Sequence, residues 1–345
     1  MSRSTGGNEE MNDRRGEPGV PGGSTSRLDT AERGWPFGPT SLEKRIGNGP
    51  MRIIAAVIAI PLIGLILMQG GIAFALFVAV MALGAMYELF ALLKQIGLRP
   101  FVGSAMAASA FIIFILHAWT SAGRINDLGG GIAVALVAAT LFLLFIGAAI
   151  ASLRRDHRQG IGDVAATFMG VVYVPIFLSS LLLLYHRTPI VFLGDPLQSD
   201  LAGSHEANGA IIVLTILSGI WICDSAAYFG GKALGKHKLM ESVSPKKTWE
   251  GAISGLLFGM IAMAIAIPLL FPNLTIVDGI MIGAIVGIVG QLGDLFESHI
   301  KRACGIKDSS QIIPGHGGLL DRFDSLIVVA PTVLIYLMVR ALLLG

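Results

Sequence analysis

Nine apolar runs govern this chain: residues 52–69, 71–93, 101–121, 130–152, 163–185, 208–229, 251–271, 276–293 and 325–344. Each is close to the roughly 20 apolar residues that a helix needs to cross the hydrocarbon layer of a bilayer. Backbone N–H and C=O groups find no water there, so a span must satisfy them internally. The runs lack the period-two alternation of a barrel strand, which leaves helices. Only 14% of the residues are charged, against about a quarter in a soluble domain. The reading is an all-α, polytopic integral membrane protein with about nine transmembrane helices. Residues 1–50 differ. The stretch "MSRSTGGNEEMNDRRGEPGVPGGSTSR" is rich in Gly, Ser, Pro and charge and cannot build a core. It is expected to be a disordered cytoplasmic tail. It is not a secretory signal, because the first apolar run starts only after Met51.

Lysine and arginine in the connections set an orientation. Lys44, Arg45 and Arg52 flank the first run, Lys94 and Arg99 follow the second, and Arg154, Arg155 and Arg158 follow the fourth. Lys232, Lys236, Lys238, Lys246 and Lys247 follow the sixth; Lys301, Arg302, Lys307 and Arg322 separate the last two. With nine spans all of these share one side, and the opposite loops hold only Arg124 and Arg187. The N-terminus is therefore expected in the cytoplasm, in the inner (cell) membrane. The chain divides into N-terminal helices, 51–207, and a C-terminal region, 208–345, with two long cytoplasmic loops, 230–250 and 294–324. The connection 186–207 lands outside and carries no functional reading. A net charge of +2 gives no reason to expect nucleic acid. Cys223 and Cys304 show no spacing that marks a disulfide framework or a zinc site.

The last cytoplasmic loop reads "QLGDLFESHIKRACGIKDSSQIIPGHGGLLDRFDS". Charge this close to a bilayer is costly and usually functional. Asp321 and Asp324, at i and i+3 near the start of the ninth helix, share a face. Asp294 is placed where the eighth helix closes, on the same side of the membrane. Three carboxylates from two helix ends suit Mg²⁺, a hard cation that shares itself with substrate phosphates. Capping is the competing account of Asp321 and Asp324, but it does not cover an acid at a helix C-terminus. "GHGG" gives backbone freedom where a side chain would block close approach. His316 is read as orienting a phosphate or acting as a donor, and His299 as facing water.

The other loop, "CDSAAYFGGKALGKHKLMESVSPKKTWEG", interleaves Gly230, Gly231 and Gly235 with Lys232, Lys236 and Lys238. Backbone N–H groups and ammonium charges together suit phosphate, although an ordinary positive-inside loop explains the lysines equally well and no Walker A pattern is present. Asp224, before them, is either a site acid or a water-facing one at the interface. In "SPKKTWEG" Thr248 or Ser244 can cap the next helix and Glu250 can complete the cap. Lys246 and Lys247 would then stand beside a helix N-terminus, itself an anion site. Glu88, in "MYELFALL", is read as an acid snorkelling to the interface, with membership of the polar site as the alternative.

These motifs resemble the phosphatidate cytidylyltransferases, also called CDP-diacylglycerol synthases. The C-terminal signature of that family matches Ser298, Lys301, Arg302, Lys307, Asp308, His316, Gly317, Gly318, Asp321, Arg322 and Asp324 without departure. "SPKKTWEG" and the spacing of Asp224, Tyr228 and Gly230 look like the family too. The strong resemblance covers roughly 208–330. It implies transfer of CMP from CTP to phosphatidic acid, giving CDP-diacylglycerol and pyrophosphate, with the active site facing the cytoplasm. It implies Mg²⁺ on Asp294, Asp321 and Asp324, and leaves room for a second, monovalent cation such as K⁺. Lys247, Lys301, Arg302 and Arg322 would hold phosphates, with His316 beside them. Asp224, Lys232, Ser244, Thr248, Glu250, Ser298, Lys307, Asp308, Gly317 and Gly318 complete the expected substrate site. Family members can be dimeric, and the glycines of "GAIVGIVG" would pack against a partner or within the monomer.

Two other classes compete. A secondary transporter would also carry intramembrane acids and glycine-rich helices, but no two-half symmetry is visible. Another CTP-dependent lipid enzyme, such as a polyprenol kinase, or an alcohol phosphatidyltransferase, remains; for the latter the paired D-G and D-x₃-D pattern is missing, as Asp278-Gly279 stands alone on the outer side. A noncatalytic scaffold gives no reason for convergent acids.

Overall fold

The computed structural model describes residues 48–121, 127–187, 204–306, 309–310 and 317–344, all within one unit, Phe37–Gly345. In chain order the helices are α1 Asn48–Gln69, α2 Gly71–Gln95, α3 Val102–Ser121, α4 Asp127–Ser152, α5 His157–Val171, α6 Phe177–Arg187, α7 Ser204–Leu234, α8 Trp249–Leu270, α9 Ile276–Ile285, α10 Gln291–Ala303 and α11 Leu320–Leu344. A π turn, Val172–Ile176, joins α5 to α6 into one span, and another, Val286–Gly290, joins α9 to α10. Among the described residues eight helical spans are long and apolar enough to cross a membrane. They coincide with the second to ninth expected runs; the first run, 52–69, falls on α1. The chain is a multi-pass membrane protein.

Close approach holds the C-terminal helices together. α8 lies between α7 and α9, and glycine lines both seams. A Cβ on Gly230 of α7 would stand 2.3 Å from the Ser254 hydroxyl of α8, and one on Gly283 of α9 would stand 2.5 Å from the Met260 Cα. Gly287 and Gly290, also in "GAIVGIVG", face Leu256 of α8 and Val329 of α11. These glycines therefore pack within the chain. Gly230 and Gly231 are helical, so their backbone N–H groups belong to the helix ladder and not to an open phosphate loop. That corrects the reading of 230–250 as loop throughout. Hydropathy lost the helix at its polar end, which packing against α8 keeps wound.

The rest of that segment is a small antiparallel hairpin. β1, Lys238–Met240, pairs with β2, Ser244–Thr248, the one strand pair among the described residues. Thr248 caps α8 by accepting from Gly251 N at 3.2 Å. Glu250 does not complete that cap. Its carboxylate accepts from the backbone N–H of Lys236 (3.1 Å) and His237 (3.2 Å) and meets His237 Nδ1 at 2.6 Å, tying the hairpin's entry to α8.

One further difference follows from polar packing. α10 continues to Ala303, so Asp294 sits inside a helical span and does not close one. Asp278 forms a capping box with Thr275 and accepts from Tyr336 (2.7 Å) and Arg340 (2.6 Å), joining the start of α9 to the end of α11.

Candidate active site

The continuation of α10 puts Asp294, Glu297, Ser298 and Lys301 on one helical face, at the i, i+3, i+4 and i+7 spacing that faces one neighbour. That neighbour is α11, the element α10 chiefly packs on. Lys301 lies between two carboxylates, Glu297 at 2.5 Å and Asp321 at 2.7 Å, with only 11% of its side chain exposed. Two turns before Lys301, Asp294 pairs with Lys247 of β2 at 2.5 Å and accepts from Ser298 at 3.4 Å. The lysine-bearing hairpin and the carboxylate-bearing helix thus meet at one point, 47 residues apart in sequence.

Asp321 is densely held. It accepts from Lys301, from the N–H (3.1 Å) and hydroxyl (2.9 Å) of Ser309, and from Gly318 N (2.9 Å). The last bond runs back to the chain entering α11, as a capping acid does. Asp321 is thus not the N-cap of α11, as the competing account had it, but lies in its first turn and accepts from a donor just before the helix. Asp324, one turn deeper, accepts only from Ser325 N among the described residues. It lies within electrostatic reach of Asp294 and Asp224, and Asp224 in turn feels Lys247 and Arg322. Asp224 is exposed on α7 and makes no hydrogen bond or ion pair among the described residues, so its water-facing reading stands beside the site one.

The remaining expected residues divide. Arg302 braces structure, donating to Val243 O (3.1 Å) in the hairpin turn and to Ile306 O (2.9 Å). Arg322 is exposed and makes no ion pair among the described residues. Ser244 lies in β2, and Lys232 is exposed near the end of α7. Lys307, Asp308 and His316 lie outside the described residues. Gly317 has φ +82°, a left-handed backbone that favours glycine. Gly318 needs its missing side chain for a different reason, because a Cβ there would meet Glu88 Oε2 at 2.4 Å and Ser309 Oγ at 2.0 Å.

Glu88 is the principal correction. It is fully buried, not snorkelling to the interface. Its carboxylate accepts from the hydroxyls of Ser309 (3.0 Å) and Ser310 (2.5 Å) and from the N–H groups of Leu319 (3.0 Å) and Leu320 (2.9 Å). The last two are orphan donors at the start of α11, where the helix dipole also favours a negative charge. Glu88 thus clamps the signature loop to α2. The available sign was that it is the sole acid of α2, and a charge inside a span calls for a partner.

The charges test the fit of a cation. Five carboxyl groups, Asp224, Asp294, Glu297, Asp321 and Asp324, face three cationic groups, Lys247, Lys301 and Arg322. Carboxyl groups thus outnumber the cationic groups that face them, so the cluster has room for added positive charge. Among the described residues no group of three or more acidic, His or Cys side chains is placed to hold a metal ion, so the expected trio of Asp294, Asp321 and Asp324 is not brought together as one set of ligands. Mg²⁺ does not need such a set, since it is commonly held by one or two carboxylates plus substrate phosphates and water. The all-oxygen donor set fits such an ion.

Residues 50–340 match the model of the cytidylyltransferase family. A phosphatidate cytidylyltransferase of Staphylococcus haemolyticus is 34% identical over 284 residues, covering 81% of this chain and 96% of that protein. One from Synechocystis is 34% identical over 294 residues, covering 82% and 94%. One from Staphylococcus aureus strain COL is 32% identical over 287 residues, covering 81% and 96%. A match that takes in the hairpin lysines, the face of α10 and the start of α11 together places this chain in the cytidylyltransferase family.

Proposed function

We propose that this protein transfers CMP from CTP to phosphatidic acid, giving CDP-diacylglycerol and pyrophosphate, at a site on the cytoplasmic side of the inner membrane. The observation that carries the reading is the Lys247–Asp294 contact at 2.5 Å. It unites a cationic hairpin suited to a triphosphate with a carboxylate face suited to a metal. The phosphatidate acceptor is the one named for the bacterial relatives. Neither the transporter nor the polyprenol kinase reading gains support from them.

Each group has a role its chemistry allows. Lys246 and Lys247, beside the N-terminus of α8, hold phosphate oxygens of the nucleotide. Arg322, exposed at the lip of α11, holds phosphate as well. Lys301, locked between Glu297 and Asp321, keeps the two helices in register and stabilises charge that develops near Asp321. Asp294 and Asp324 would hold Mg²⁺, with Asp224 or Asp321 beside them; the ion, when bound, offsets charge on the reacting phosphates. The lipid phosphate attacks the α-phosphorus in line and pyrophosphate leaves. A phosphate monoester has a second pKa near 6, so the acceptor is already ionised and the chain supplies no nucleophile. A second, monovalent cation and a homodimer remain part of this proposal.

The test is pyrophosphate release by the purified protein from CTP and phosphatidate, with and without divalent metal. Activity is expected only with all three. Asp294→Asn and Asp321→Asn are each expected to lose at least about 100-fold in turnover while the protein stays folded. Full activity in either folded variant removes that residue from the metal assignment.

A further inference from the structure

The α5–α6 span contributes a polar group that the chemistry above leaves unused. Tyr173 lies in the π turn Val172–Ile176. Pro175 sits in that turn and has no N–H to return to the helix ladder. Single wide turns of this kind recur at functional positions of helices. The Tyr173 ring is 7% exposed and meets Phe296 of α10 edge-on, 5.2 Å between centroids. Phe296 stands between Asp294 and Glu297 in sequence, so the ring packs on the same helix as the site acids. The hydroxyl lies within electrostatic reach of Asp324, Glu297 and Asp294, yet it has no hydrogen-bond partner among the described residues. Two other tyrosines are satisfied: Tyr185 donates to Leu67 O and Tyr336 to Asp278, each at 2.7 Å. A buried hydroxyl without a partner destabilises the fold, and such groups in native proteins call for an explanation.

We propose that Tyr173 is a substrate-contacting residue, its hydroxyl donating a hydrogen bond to a phosphoryl oxygen brought up to Asp294 and Asp324. This rests on the cytidylyltransferase reading and adds a residue from the N-terminal helices to a site otherwise built by the C-terminal ones. A neutral donor in an apolar wall suits the task, since a bond to an ionised phosphate oxygen is strong where water is excluded.

The full-length protein in lipid nanodiscs, as wild type, Tyr173→Phe and Tyr185→Phe, decides the matter by two readouts. One is kcat/KM for pyrophosphate release from CTP and phosphatidate; the other is the thermal midpoint. For Tyr173→Phe the expected result is a loss of at least about tenfold in kcat/KM with an unchanged or higher midpoint. Tyr185→Phe, which loses a bond inside the protein, is expected to show the reverse: a lower midpoint and unchanged kcat/KM per folded molecule. A smaller loss in Tyr173→Phe, or a lowered midpoint, overturns the proposal. A wild type that releases no pyrophosphate overturns the cytidylyltransferase reading, and the role of Tyr173 with it.

Discussion

Glu88 and Asp294 show how differently two acids in one membrane protein can be read. Asp294 was visible from sequence because it belongs to a polar cluster at the end of an apolar run. Glu88 is surrounded by apolar neighbours, and its partners are 221 to 232 residues away. No local pattern carries that information. The same holds for Tyr173, whose partnerless hydroxyl is invisible until α10 is packed against it. Removing the Glu88 carboxylate as Glu88→Ala leaves the Leu319 and Leu320 N–H groups without their acceptor, while the Ser309 hydroxyl can still donate to Asp321, so a loss of at least about 2 kcal/mol in unfolding free energy is expected. Faster hydrogen exchange at the Leu319 and Leu320 amides should accompany it. Unchanged exchange at those amides would contradict the clamp. Cys304 offers a quieter check. Burial pushes its thiol up to about 11, so it stays protonated at neutral pH, and because only thiolate is nucleophilic, the native protein should alkylate slowly there until the pH nears that value.

Helices α7, α8 and α9 were expected from hydropathy, and their existence is secure on that ground. Their ends were not. Hydropathy stops where charge begins, whereas a helix stops where its backbone loses partners. α10 therefore runs through Asp294, Glu297 and Lys301, since its polar residues find ion pairs on α11 and on the hairpin. The glycines of α7 and α9 were legible as a composition and ambiguous as a role. In the fold they let backbones approach, which is the common use of small residues between membrane helices. Gly283→Ala places a Cβ against the Met260 backbone, where no side-chain rotation can relieve it. A destabilisation of about 1–3 kcal/mol is expected, read as a lower thermal midpoint. The same change at Gly64, which meets nothing within 4 Å, should leave the midpoint alone.

Among the described residues, ion pairs and other contacts to charged side chains sort to two ends. The Arg99 backbone N–H and the Arg155 guanidinium converge on Asp163, Lys247 on Asp294, Lys301 on Asp321, and Glu88 on the start of α11. At the opposite end of α9 and α11, Arg340 reaches Asp278 and Asn273 O. Arg340→Ala removes the cation from the buried Asp278 carboxylate, which keeps its bonds from Tyr336 and Thr275, and is expected to cost about 1–3 kcal/mol, yet kcat/KM per folded molecule should not change, because this contact is remote from the site. Membrane orientation is testable with the same contrast. A single cysteine at Lys246 should label from the cytoplasmic face and one at Asn273 from the other; labelling of both from one face contradicts the topology. Membrane spanning, helix class and the family signature were all readable along the chain, since hydropathy, backbone satisfaction and motif spacing are local properties of consecutive residues. Which charged groups lie against one another, which glycine makes room for which carboxylate, and what surrounds Glu88 and Tyr173 were decided by packing. These depend on contacts between helices far apart in sequence, and no run of neighbouring residues encodes a distance across the bundle.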